Sequence, residues 1–157
     1  AAIAGSTEPP SFANTVAGLE RAGRDLRKLS AVFFNLSGAH TNDALQAIER
    51  EMAPRLARHR SAIFMNAALF ARVAELDERR DALGLDPEQA RLLDRYRTIF
   101  VRAGAQLGDA DKKRLAAIVE RLASLGTQFS QNVLADEKAF TLVLDGEEDV
   151  AGLPDFV

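Results

Sequence analysis

The sequence predicts an all-α fold: an antiparallel bundle of about five main helices, followed by a short C-terminal strand. Three observations carry this. Apolar residues recur at helical spacing in five separate stretches. Turn signals at Gly38, Gly84 and the Gly104/Gly108 pair divide those stretches, leaving loops of only a few residues. After Asp136 the apolar period drops from that of a helix to that of a strand.

The first helix is expected to begin at Ser11, after Pro9 and Pro10. Phe12, Val16, Leu19, Leu26, Leu29 and Phe33 form its stripe, and Gly38 stops it. Gly18 and Gly23 each weaken a helix by roughly 1 kcal/mol relative to alanine, which burial of the stripe offsets. Thr41 or Asn42 caps the second helix, whose stripe is Leu45, Ile48, Met52, Leu56, His59 and Ile63. Pro54 lacks a backbone donor and crowds the Arg50 carbonyl. The stripe keeps its phase across it, so a kink rather than an end is expected there.

Asn66 caps a third helix with Leu69, Phe70, Val73 and Leu76 on one face. The fourth start is the clearest: Asp86 at the cap, Pro87 in the first helical position and Gln89 at capping-box spacing. Its stripe is Leu92, Leu93, Tyr96, Ile99 and Phe100. A fifth helix opens at Asp109, with Asp111 near the positive end of its dipole. Leu115, Ile118, Leu122, Leu125, Phe129 and Val133 form its long apolar face. Phe140, Leu142 and Leu144 then alternate with Thr141 and Val143 before an Asp145-Gly146 turn, so 140–144 is expected to be a strand. A lone strand cannot satisfy its own backbone groups.

At 157 residues, 47% hydrophobic and 27% charged, the chain is one domain long, 1–157, with a leading segment over 1–9. A net charge of -3 gives no case for nucleic acid as a partner. No apolar run reaches the ~20 residues of a membrane span, and no signal peptide is recognisable, so the expected localisation is cytoplasmic. The absence of cysteine excludes disulfides and thiolate metal sites.

Chemistry is sparse. A zinc-peptidase helix carries His-Glu-x-x-His, two ligands one turn apart with a glutamate base between them. Here the only histidines are His40, followed by Thr41, and His59, followed by Arg60. His59 has Arg55 and Ile63 at one turn's distance, so it reads as a structural histidine, and His40 as a turn residue. Glu49 and Glu51 do not share a helix face. Arg55, Arg58 and Arg60 read as a solvated face, and Lys112-Lys113-Arg114 is too short for nucleic acid. No nucleophile elbow or phosphate-cradling glycine loop is present. The site reading is therefore empty: no catalytic, cofactor-binding or metal residue.

Four phrases carry a family resemblance: PSFANTVAGLERAG, FFNLSGAHTNDALQAIEREMAPRLARH, FARVAELDERRDALGLDPEQARLLDRYRTIFVRAGAQL and LGTQFSQNVLADEKAFTLVLD. They resemble the N-terminal helical region of bacterial peptidyl-dipeptidase Dcp and oligopeptidase A, zinc peptidases of the thimet oligopeptidase kind. The resemblance spans about 9–154. It implies a channel-wall domain of a hydrolase that cleaves short peptides, with release of C-terminal dipeptides favoured over internal cleavage. It implies zinc in the parent protein but none in this chain, since the ligands and base lie far downstream.

On that reading the chain is an inactive N-terminal piece, and 137–157 contacts the missing catalytic half. The expected partners are short peptides and that half. Apolar surface left bare should drive self-association, or else the tail from about Glu147 is mobile. The rival reading is a stand-alone helical interaction or regulatory module.

Overall fold

The computed structural model describes residues 2–154; Ala1 of the leading segment and the last three residues of the tail, 155–157, lie outside it. The chain order is a π-helical turn Phe12–Val16, α1 (Ala17–Arg21), α2 (Arg24–Ala39), α3 (Asp43–Phe64), α4 (Ala67–Glu78), a 3-10 turn Arg80–Ala82, α5 (Pro87–Arg102) and α6 (Asp109–Ala139). The all-α expectation holds, and no strand occurs among the described residues.

The caps were set by local chemistry. Asn42, Asn66 and Asp86 each accept the backbone N–H three residues on, from Leu45, Leu69 and Gln89, and Gln89 returns the bond to Asp86. With Asn42 as the cap, the neighbouring Thr41 hydroxyl is left without a hydrogen-bond partner. Helix α3 runs through Pro54 without ending.

Two expectations about the elements fail. The first helix is not continuous. Its stripe starts in the π-helical turn, capped by a reciprocal Ser11–Asn14 pair, and the chain breaks after α1, where Ala22 is extended and Gly23 has φ 68°. That conformation suits glycine and few others, so the glycine that sequence alone treats as a tolerated cost instead separates two helices. Residues 140–144 form no strand. Phe140 ends α6 with an extended backbone, and Phe140, Leu142, Val143 and Leu144 are all exposed. Alternation offers a face, but hydrogen bonds need a second strand, and none is adjacent.

The core lies where the N-terminal segment meets α4 and α5. Val16, Val73, Leu76, Leu93 and Phe100 are fully buried, with Leu69, Tyr96 and Ala105 close to it. Ile3, Ala4, Phe12 and Leu19 pack against this cluster from the leading side, and Ile63 and Phe64 reach it from the end of α3. Helices α4 and α5 run antiparallel, since Asp77 meets Arg97 at 2.7 Å while Phe70 lies beside Phe100.

A Schellman turn closes α5. The Ala105 N–H bonds the Phe100 carbonyl and the Gly104 N–H bonds that of Val101, both at 3.0 Å. Gly104 has φ 91°, and a Cβ there would sit 2.8 Å from Leu115.

One cation is built into the core. Arg72, 8% exposed, donates to the Ser6 and Glu8 carbonyls at 3.2 and 2.9 Å, to Asn14 Oδ1 at 3.0 Å and to Thr15 Oγ1 at 3.3 Å. None of these partners is a carboxylate. The fork of the guanidinium thus fastens the segment before α1 onto α4.

The long pair α3 and α6 packs antiparallel by a different chemistry. Arg58 binds Glu120 and Arg50 binds Gln131, which in turn donates to the Gln46 carbonyl and to Glu49, each at 3.1 Å. The Arg58 hydrogen bond holds the half-buried Glu120 carboxyl below its usual range.

The side of α6 turned to α3 carries Val119, Ala123, Thr127 and Gln131, all partly buried. Ile118, Leu122, Leu125, Phe129 and Val133 lie roughly 140° away at 3.6 residues per turn, and all five are exposed. The stripe identifies an apolar face, but α3 covers another one.

Candidate functional site

An open groove of about 950 Å³ lies between the α1–α2 junction, α3 and the middle of α5. It exists because the chain turns at Gly23. Leu19 and Ala22 form one end. Leu26, Ala31 and Phe34 of α2 face Leu56, Ile63 and Phe64, with Tyr96 contributed by α5.

Three of the groove's polar side chains, Arg27, Tyr96 and Arg60, have partners within the chain. Arg27 donates to the Glu20 and Ala22 carbonyls at 2.8 and 2.9 Å, which satisfies the exposed end of α1. The Tyr96 hydroxyl donates to Glu20 Oε2 at 2.7 Å. The Arg60 guanidinium lies 5.2 Å from the centre of the Phe64 ring. His59 also lines the groove and is exposed.

This arrangement can hold an apolar segment. It offers no nucleophile beside a base and no pair of carboxylates sharing a proton. The groove was not foreseen from sequence, because it depends on the break at Gly23.

Burial, and secondarily the bond to Glu20, raises the Tyr96 phenol well above its ordinary range. An unfolded chain ionises tyrosine at about pH 10. The contribution of a group whose folded pKa is raised is complete below that pH and is lost as pH climbs through the folded value. The chain has one tyrosine and no tryptophan, so absorbance at 295 nm reports Tyr96 alone. We expect no phenolate signal at pH 10.5 while circular dichroism is native, and then appearance of phenolate together with loss of the native dichroism. A smooth titration centred near pH 10 in a folded chain would contradict this.

The residues examined for chemistry are dispersed. His40 and His59 are both exposed and stand on different elements. No group of three His, Cys, Asp or Glu side chains able to hold a metal occurs among the described residues. Arg55 pairs with Glu51 at 2.8 Å, Arg58 with Glu120, and Arg60 lies over Phe64, so the three arginines make no common anion site. Glu49 and Glu51 diverge, Glu49 accepting from Ser37 and Gln131. No helix among the described residues is long and apolar enough to cross a membrane.

No protein-family model matches the chain. Individual proteins do. The chain is 40% identical over 153 residues to the dipeptidyl carboxypeptidase of Escherichia coli (strain K12), which is 98% of this chain and 22% of that protein. It is 42% identical over 152 residues to that of Salmonella typhimurium, again 22% of the relative's length. Oligopeptidase A of Salmonella typhimurium is 23% identical over 147 residues, 94% of this chain and 22% of the relative. The chain thus spans about a fifth of the length of the curated relatives it matches. Over nearly all its residues, it is a homologue of one stretch of the dipeptidyl carboxypeptidases and, more distantly, of oligopeptidase A.

Proposed function

We propose that this chain is the N-terminal helical channel wall of a zinc-dependent peptidase that acts on short peptides in the cytoplasm. Release of C-terminal dipeptides is favoured over internal cleavage. The observation that carries this reading is the identity pattern: 40–42% to dipeptidyl carboxypeptidases against 22–23% to oligopeptidase A, over nearly the whole chain in both cases. Its role is spatial. Rigid helices restrict what reaches the catalytic groups, which the rest of the protein supplies. The strand pattern at 140–144 belongs to the same reading: its partner strand comes from the remainder of the polypeptide.

The described residues of this chain do not fit a catalytic zinc site. Such a site takes three protein ligands and keeps an open position for water, whereas the described residues offer two separated histidines with no third ligand near either. The ligands and base are therefore assigned to the longer protein.

Two preparations test the proposal. The 157-residue chain, incubated with zinc and desalted, is expected to retain no stoichiometric metal and to release no dipeptide. The full-length protein is expected to release C-terminal dipeptides from short peptides and to stop when a chelator is added. Chelator-insensitive cleavage by the full-length protein, or zinc-dependent cleavage by the chain alone, would overturn it.

A further inference from the structure

We infer that the outward face of α6, built on Leu122, Leu125, Phe129 and Val133, is a permanent seam against the rest of the same polypeptide. This rests on the reading that the chain is one part of a longer protein. Three observations converge on that occupant.

The first is the composition of the face. Between Arg121 and Asp136 the helix carries no charged residue on any side, although 27% of the chain is charged. Leu122 is 61% and Phe129 70% exposed. A solvated outer face would carry charge. Interfaces that open and close keep a polar character, whereas permanent ones resemble a core cut in half.

The second is Gly126, four residues after Leu122 and three before Phe129, on their side of the helix. Glycine weakens a helix interior relative to alanine. Nothing among the described residues requires it, because a Cβ at that position would meet none of their atoms within 4 Å. A missing side chain in the middle of a dry stripe fits the close approach of another backbone, as where two helices cross.

The third is length. The relatives are between four and five times as long as the stretch they share with this chain, which makes up 22% of each. That leaves ample chain to cover the face without a second copy. The occupant is therefore an apolar helix of the remaining polypeptide, crossing α6 near Gly126.

The test compares two variants in two contexts, the 157-residue chain and the full-length protein, with melting temperature and mass by light scattering as readouts. Gly126→Ala is expected to raise the melting temperature of the 157-residue chain, because alanine favours the helix and meets nothing. It should lower that of the full-length protein, where the Cβ enters the seam. Phe129→Glu should leave the melting temperature and mass of the short chain unchanged and lower the melting temperature of the full-length protein.

The same direction of change in both contexts for Gly126→Ala, or no effect of Phe129→Glu on the full-length protein, would overturn the inference. So would a short chain that is dimeric and becomes monomeric with Phe129→Glu, since the face would then belong to a second copy. Neither readout involves catalysis. A full-length protein without peptidase activity would defeat the proposed function and leave this result standing.

Discussion

Phe100→Ala is expected to cost about 4 kcal/mol, the range for a buried aromatic cut to a methyl group. The ring is fully buried. It meets Phe64 edge-on, with centroids 5.2 Å apart and planes at 71°, and Phe70 at 6.1 Å. The substitution therefore removes contacts to the end of α3 and to α4 together. Collapse into the space is hindered because the Phe100 carbonyl is fixed by the Schellman turn and Gly104 already lies against Leu115. Domains of this size hold only 5–15 kcal/mol in total. The urea midpoint should fall by about a quarter or more, whereas Phe129→Ala, on an exposed ring, should change it little. Equal effects of the two would mean that the core is elsewhere.

Arg72→Leu is the second large expected loss, about 3 kcal/mol. Its side chain is buried, so little solvation is regained. Removing the guanidinium leaves the Ser6 and Glu8 carbonyls without their donor, and it takes one bond each from Thr15 Oγ1 and from Asn14 Oδ1, which keeps the Ser11 N–H and the Thr15 hydroxyl. Burying an acceptor unpaired costs roughly 1–3 kcal/mol, tempered here because Ser6 and Glu8 can reach water once the segment lifts. Arg72→Lys should recover only part of the loss, since one ammonium cannot span acceptors set around a planar fork. Hydrogen exchange locates the damage: protection should fall first in 6–16, with α6 unaffected. A variant of unchanged stability, or exchange rising evenly over the chain, would show that the clamp is incidental.

The arginine clamp also marks where sequence reading runs out. Helix starts were legible because a cap is a conversation between residues three apart: Asn42 with Leu45, Asn66 with Leu69, Asp86 with Gln89. Arg72 acts on partners 57 to 66 residues away, two of them main-chain carbonyls that carry no side-chain signal. The break at Gly23 was hidden because the apolar stripe keeps helical spacing on both sides of it. At 140–144 the sequence alternates, yet pairing depends on a second strand that no alternation can supply. On α6 the stripe was legible and its covering was not. Periodicity records which face is apolar and is silent about what packs on it. Of metal chemistry the sequence states only the donors it holds: two histidines, neither with a ligand one turn away.

The two packing regimes also set an order of assembly. Most of the buried core side chains lie on α4 and α5, joined by a link of eight residues, 79–86, so their contacts close early, before much chain entropy has been spent. The α3–α6 bonds join residues 62 to 85 positions apart. Polar cross-links at that distance hold little until the hairpin between them has brought their ends together. On a ribosome the hairpin is complete nearly forty residues before α6 has finished emerging, so for that interval α3 waits with its far face unpaired. A charged, water-tolerant inner face, drawn from Arg50, Arg58, Glu49 and Gln46, allows that wait without exposing a sticky surface to its neighbours.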